Sequence, residues 1–232
     1  MSMVLVKEIQ LLERQMLDLG GRVETSVRHA IRALETHDTR LAQEVIAEDK
    51  EIDAEEVALE EGCLKVLALH QPVAIDLRVI ISILKINNDL ERIGDFAVSI
   101  ARCVRPVKTE AVPWPEQLLV LTAYATRMVS EALDAFVKLD GKAARAVCLS
   151  EESFKTAFNV LRANLAQTMR ETREARVVDA ALEYLAVGRS LQRICGHATN
   201  IAEDVIYMLD GVVVRHNPHA ISSHETTTNP CG

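Results

Sequence analysis

The chain has 232 residues and a formal net charge of −8, and 49% of its residues are hydrophobic although only 3% are aromatic. Its Lys and Arg residues are scattered, so it lacks the concentrated basic face that nucleic-acid phosphates require, and nucleic acid is excluded as the main partner. Charges interrupt the longest apolar runs well before the roughly 20 residues that a membrane span needs. Only peripheral association with a membrane stays open.

The five cysteines are odd in number and form no CxxC pair. They are therefore interpreted as reduced core residues rather than as a disulfide framework or a thiolate zinc site. A reducing compartment, the cytoplasm, is expected. The cysteines are Cys63, Cys103, Cys148, Cys195 and Cys231.

Helical periodicity begins in the first segment, from Val4 to Leu34, where apolar residues recur every three or four positions. The pair Gly20-Gly21 weakens the pattern without shifting its phase, so one continuous first helix is predicted. The apolar stripe consists of Ile9, Leu12, Met16, Leu19, Val23, Val27, Ala30 and Leu34.

A second helix is predicted from the N-cap Asp38 to about His70. Pro72, just inside the start of the next periodic pattern, predicts the beginning of a third helix that ends near Val104. Residues 106–115 contain prolines and are predicted to be a linker.

After the linker, a fourth helix is predicted from about Glu116 to Leu139, followed by a fifth that starts at Asp140. The sixth ends near Gly211, which is a natural C-cap. Residues 212–232 have little to bury, so a disordered tail is predicted there.

An internal repeat relates the two halves. Residues 90–101 align with 191–202, and residues 33–38 align with 135–140, with a shift of one residue in the offset that a loop deletion explains. The predicted fold is all-α, with two tandem three-helix bundles related by duplication. The bundles are predicted over residues 1–105 and 116–211.

Acidic pairs with helical spacing occur on the second and third helices. Asp49 and Asp53 are one turn apart, as are Glu91 and Asp95, and like charges at this spacing repel each other. If the two faces meet, a bound cation would offset the repulsion, and oxygen ligands suit hard or borderline cations such as magnesium, manganese or iron. The alternative is that these acids belong to a solvated face, because the second helix is acidic along much of its length.

The third helix carries a resemblance to a known family. Residues 88–95 read NDLERIGD and are followed by Ala97-x-x-Ile-Ala, which resembles the signature of the PhoU family of phosphate-specific transport accessory proteins. Residues 71–78 resemble the family's junction between helices 2 and 3, and residues 49–53 its helix 2 motif. The resemblance extends over residues 16–211.

This resemblance implies two three-helix bundles that bind metal ions at E/D-x-x-x-D motifs. It implies a negative regulator that couples a phosphate ABC transporter to a sensor histidine kinase, and it implies no catalytic activity. The expected partners are the ATPase subunit of the transporter and the kinase, and a homodimer is expected. The motif transfers to Asp49, Asp53, Glu91 and Asp95, which would hold a divalent or iron-type ion.

The second half departs from the motif. Its counterparts of the four acids are Glu151, Lys155, Gln192 and Gly196, which supply one carboxylate and one opposing positive charge. No second metal site is predicted there. His197, next to the altered motif, is interpreted as a surface or capping residue rather than a ligand.

The alternatives to a regulator belong to three classes of protein. A helical metal-storage or metal-sensing protein remains the alternative, and a structural scaffold is a second one. A di-iron enzyme is disfavoured because ferritin-like sites need Glu-x-x-His on two helices, and no histidine of the chain has a glutamate three residues before it. The chain also lacks P-loop, GxGxxG and GxSxG motifs, so no enzymatic activity is expected.

Overall fold

The structure, a computed structural model, describes residues 3–106, 112 and 114–215. Within these ranges all regular structure is helical. Residues 107–111 and 113 of the predicted linker, and residues 216–232 of the predicted disordered tail, lie outside the described residues. The helices are α1 (Met3–Thr36), α2 (Thr39–His70), α3 (Ala74–Ala101), α4 (Glu116–Lys138), α5 (Gly141–Glu171) and α6 (Ala175–Asp210).

Each half of the chain is a three-helix bundle, and the predicted all-α fold is confirmed. Helices α1, α2 and α3 pack against one another, as do α4, α5 and α6. Two further pairs, α3 with α6 and α1 with α4, join the halves. The apolar interiors of the bundles merge into one core across these pairs. Both pairs consist of helices that occupy equivalent places in the repeat.

Helix α1 is continuous through its two glycines, as predicted, and all eight residues of its apolar stripe are buried. Gly20 lies where α1 approaches α4. A Cβ atom at this position would lie 2.8 Å from Cδ2 of Leu133, closer than real Cβ contacts. A side chain at Gly20 would therefore require Leu133 to change its rotamer at this part of the interface between the halves.

The same capping arrangement begins the second helix of each bundle. Asp38 Oδ1 accepts hydrogen bonds of 3.0 Å from the backbone N–H groups of Arg40 and Leu41. Asp140 Oδ1 accepts equivalent bonds of 2.9 Å from Lys142 and Ala143. The predicted cap at Asp38 is confirmed, and Asp140, predicted only as the start of the fifth helix, is its N-cap. Each aspartate satisfies two backbone donors that have no partner within the helix.

The bounds of the third helix differ from the prediction. Gln71 adopts a left-handed conformation with φ 44° and caps α2, after which the chain is non-helical up to Ala74, where α3 begins. Pro72 therefore lies before the helix rather than inside its first turn. The helix also ends earlier than predicted, at Ala101, and Val104 lies in the following segment.

Gly211 ends α6 as predicted. Its φ is 72°, and its N–H donates a 2.9 Å hydrogen bond to the carbonyl of Tyr207. The chain beyond it was predicted to have little to bury, but Val214 is only 1% exposed. Val214 thus packs against the bundle, although Val212 and Val213 are exposed, and the next residue, Arg215, lies close to Glu203 of α6.

Candidate functional site

The four predicted metal ligands lie on the facing surfaces of α2 and α3. Gly94 of α3 lies against α2, where a Cβ atom would be in ordinary van der Waals contact, 3.5 Å from Cγ2 of Ile52 and 3.7 Å from Oδ1 of Asp49. Asp49 is half-buried at this contact, and Asp53 is exposed one turn further along α2. We refer to the surface formed by Asp49, Asp53, Glu91 and Asp95 as the acidic face.

The charges of the acidic face act on one another across the two helices. Burial is the main cause that raises the pKa of Asp49, and the negative charges of Asp53 and Asp95 raise it further, against the opposing effect of Arg102. Burial also raises the pKa of Glu91, with a further contribution from Asp95. The repulsion expected between the two acidic pairs is therefore present in the fold.

Arg92 partly offsets this repulsion. Its Nε lies 3.4 Å from Oε2 of Glu91, and its Nη1 lies 3.5 Å from Oδ2 of Asp95. About half of the Arg92 side chain is exposed, so these ion pairs are screened by solvent and contribute little to stability.

The oxygen atoms that the acidic face could offer to a metal ion are all carboxylate oxygens, which is the type of ligand that hard cations prefer. Their positions do not converge on one point. In the ranges that the structure describes, no group of three or more Asp, Glu, His or Cys side chains is gathered closely enough to hold a metal ion. Binding at Asp49, Asp53, Glu91 and Asp95 would thus require these side chains to rotate towards one another.

The equivalent face of the second bundle forms a cavity of about 930 Å³. All four counterparts of the acidic face line it, namely Glu151, Lys155, Gln192 and Gly196. The alignment of the repeats therefore identified residues that the fold brings together. Lys155 Nζ lies 3.2 Å from Oε1 of Glu151, so the one carboxylate among the four is already paired with a cation.

A polar cluster between α3 and α6 was missed by the sequence analysis. Asp89 Oδ1 lies 2.7 Å from Nδ1 of His197 and accepts a 3.0 Å hydrogen bond from Nδ2 of Asn200. The His197 ring also stacks on Phe96, with 5.8 Å between the ring centroids. The interpretation of His197 as a surface or capping residue is wrong, because its ring lies part-buried between the halves. The sequence does contain an indication of this cluster, because Asp89 is an acidic residue within the apolar stripe of α3.

A second polar contact joins α3 to the end of α6. Lys85 Nζ lies 2.5 Å from Oδ1 of Asp204, whose side chain is only 3% exposed. Asp204 Oδ2 has no hydrogen-bond partner in the described part of the chain, and Nη2 of Arg215 is 3.8 Å away. Burial raises the pKa of Asp204 and outweighs the hydrogen bond and charge of Lys85, which lower it.

Comparison with known proteins identifies the family. The sequence model of the PhoU domain family matches the chain twice, over residues 16–104 and 118–205. The chain belongs to the PhoU family. Each matched range covers most of one three-helix bundle, so the duplication seen in this fold corresponds to two PhoU domains.

Individual relatives agree with this assignment. The chain is 37% identical to the phosphate-specific transport system accessory protein PhoU homolog of Pseudomonas aeruginosa over 211 residues, which are 90% of the chain and 86% of that protein. It is 31% identical to the accessory protein PhoU of Escherichia coli, over 90% of the chain and 86% of that protein. The crystal structure of PhoU from Pseudomonas aeruginosa superposes with a TM-score of 0.84 at 36% identity, covering 89% of this chain and 99% of that one.

The PhoU signature of α3 serves two surfaces of this fold. Glu91 and Asp95 face α2, whereas Asp89 faces α6. The signature thus connects the acidic face with the interface between the two PhoU domains. None of the helices in the described ranges is both long enough and apolar enough to cross a membrane.

Proposed function

We propose that this chain regulates phosphate uptake and phosphate-starvation signalling through protein–protein contact in the cytoplasm, without catalysing a reaction. The observation that carries this proposal is the match of a PhoU domain to each bundle. The relatives that resemble the chain over 90% of its length are described as accessory proteins of the phosphate-specific transport system. An accessory role implies contact with that system.

The partners in this proposal are the ATPase subunit of a phosphate ABC transporter and a sensor histidine kinase. Exposed apolar side chains at the turn between α2 and α3 are compatible with such contacts. Leu69, Val73 and Ile75 are 67%, 73% and 62% exposed. Adjacent large apolar residues that remain exposed commonly mark an interaction site. We propose this turn as the contact with the ATPase subunit.

Deletion of the gene tests the regulatory function. The phosphate-starvation response should then be switched on in phosphate-rich medium, as measured with a reporter for that response. A second copy of the gene would have to be deleted as well. Reporter expression that stays repressed by phosphate in such a strain would contradict the proposal.

The contact surface is tested by affinity capture with the purified protein. The double variant Val73→Asp/Ile75→Asp should recover less ATPase subunit than the wild type. Val137→Asp on α4 is a control, because Val137 is 54% exposed and belongs to the other bundle. Equal recovery with all three proteins would place the contact elsewhere.

A second candidate function is metal sensing or storage, favoured by the juxtaposition of Asp49, Asp53, Glu91 and Asp95. These residues would hold a divalent or iron-type cation, whose positive charge would offset the repulsion between their carboxylates.

We also propose that the protein is a homodimer. Light scattering after size-exclusion chromatography tests this, and a monomeric mass at micromolar concentration would contradict it.

A further inference from the structure

The cavity in the second bundle is rich in positive charge. Four Lys and Arg side chains line it against two carboxylates, and the side chains of His197 and Asn200 contribute further polar groups. We call this cavity the basic cavity. Its charged lining residues are Lys155, Arg189, Arg193, Arg215, Glu151 and Glu203.

The basic cavity occupies the place that the acidic face occupies in the first bundle. Between the two repeats, Asp53 is replaced by Lys155 and Asp95 by Gly196. A Cβ atom at Gly196 would meet no atom within 4 Å, so the position that carries a carboxylate in the first bundle is open space in the second. Equivalent surfaces of one fold therefore have opposite charge.

Two of the four cations are engaged with carboxylates. Lys155 pairs with Glu151 at 3.2 Å, and Nε of Arg215 lies 3.5 Å from Oε2 of Glu203. These pairs account for both acidic residues that line the cavity.

The other two cations are Arg189 and Arg193. Neither has an ion-pair or hydrogen-bond partner among the side chains that the structure describes. They are four residues apart on α6, so their guanidinium groups lie on one side of the helix and repel each other. An anion bound between them would remove this repulsion.

We propose that the basic cavity binds a phosphate-bearing anion. A guanidinium group presents donors in a planar fork that matches phosphate oxygens, and two such groups on adjacent turns can bind neighbouring phosphates. The cavity volume of about 930 Å³ lies within the range of about 300–1,000 Å³ that small-molecule sites occupy. It leaves room for more than a single phosphate group, so condensed phosphates or a phosphate ester fit it better than orthophosphate does. This binding site is independent of the proposed contacts with the transporter and the kinase.

The first test is isothermal titration calorimetry, which measures the heat of binding. The purified full chain is titrated with orthophosphate, pyrophosphate, tripolyphosphate and sulfate at constant ionic strength. A parallel arm uses vesicles of phosphatidylglycerol or phosphatidylcholine, which distinguishes a soluble anion from a lipid headgroup. Arg189→Gln/Arg193→Gln should weaken binding of the preferred probe by about tenfold or more, since charge-assisted hydrogen bonds are lost. Arg162→Gln, an exposed arginine of α5 outside the cavity, is the control and should bind as the wild type does.

A second variant tests the cavity without removing a cation. Gly196→Asp restores the carboxylate of the first repeat in open space and should abolish anion binding, whereas the isosteric Gly196→Asn should retain it. Circular dichroism checks that both variants are as helical as the wild type.

No binding of any probe by the wild type, or equal binding by the wild type and the double arginine variant, would overturn the proposal. Equal loss in Gly196→Asp and Gly196→Asn would also overturn its electrostatic basis.

Discussion

Asp89 on α3 and His197 on α6 join the two PhoU domains through a contact of 2.7 Å between Oδ1 and Nδ1. Asn200 donates a second hydrogen bond to the same carboxylate oxygen. Asp89 belongs to the signature segment that also carries Glu91 and Asp95. This one segment of α3 therefore contributes both to the acidic face and to the attachment of one domain to the other.

Removal of one partner should weaken this attachment. His197→Ala leaves the part-buried carboxylate of Asp89 with one partner fewer, and we expect it to lower the free energy of unfolding by about 1–3 kcal/mol. Urea denaturation at neutral pH measures this change. A double-mutant cycle with Asp89→Asn and His197→Gln isolates the pairwise energy. Strictly additive effects would show that the two side chains do not interact in solution.

Asp204 should make stability depend on pH. Burial raises its pKa in the folded state above the ordinary value of 3.8, against the influence of Lys85 and Arg215, and the nearby charge of Asp89 adds to the increase. The folded state then holds the proton more tightly than the unfolded state. This contribution to stability is complete below pH 3.8 and is lost as the pH rises through the pKa of the folded state.

The pH effect is measured as the difference in unfolding free energy between the wild type and Asp204→Asn, because the amide resembles the protonated acid. The wild type should lose stability relative to this variant as the pH rises above 3.8. Asp18→Asn, which removes an exposed carboxylate of α1, is the control. A difference that does not vary with pH would show that Asp204 keeps an ordinary pKa in the folded protein.

Metal ions, if they bind the acidic face, should raise the melting temperature of the wild type. Stabilisation by mass action amounts to about 2.7 kcal/mol at a free ion concentration of 100 times Kd. The measurement is a series of thermal melts with manganese, iron, zinc or magnesium. The increase should vanish in Glu91→Gln/Asp95→Asn and persist in Glu151→Gln, which alters the equivalent position of Asp49 in the second bundle.

Two outcomes of these melts would contradict a site at the acidic face. An equal increase in the wild type and the double variant would mean that the ions bind elsewhere, and the histidines of residues 216–219 would be the first to test. No increase with any ion would favour the interpretation of the four acids as a solvated face.

The N-caps Asp38 and Asp140 occupy equivalent positions in the two bundles and should contribute equally to stability. Asp38→Ala and Asp140→Ala remove the same two hydrogen bonds from equivalent helices, and each should lower the free energy of unfolding by about 1 kcal/mol. Asn at either position keeps an acceptor oxygen and should have a smaller effect. Chemical denaturation measures both. A large difference between the two sites would indicate that one half unfolds before the other.

Features that depend on local periodicity could be predicted from the sequence. The stripe from Ile9 to Leu34 is buried as expected because its residues recur at the period of the α-helix. The counterparts of the acidic face also converge as the repeat alignment implied, since equivalent positions in a duplicated fold have equivalent neighbours.

Contacts between the halves could not be predicted in the same way. His197 and Asp89 are far apart in the sequence. Asp89 interrupts the apolar stripe of α3, but the period of the helix does not indicate which other helix its side chain meets. Arg215 was missed for a different reason, because its position depends on the burial of Val214 beyond the end of α6. The apolar period of a helix does not predict the path of the chain after the last turn of that helix.

The stacking of Phe96 on His197 has a consequence for how the two domains can diverge. These residues occupy the same position of the repeat, and a position that meets its own counterpart lies on the two-fold axis of an isologous contact. In a dimer of identical subunits, that position would have to carry the same residue twice. Fusion of the two domains into one chain removes this constraint, so Phe can face His on the axis. The same freedom allows one domain to carry a surface of carboxylates while the equivalent surface of the other domain carries arginines.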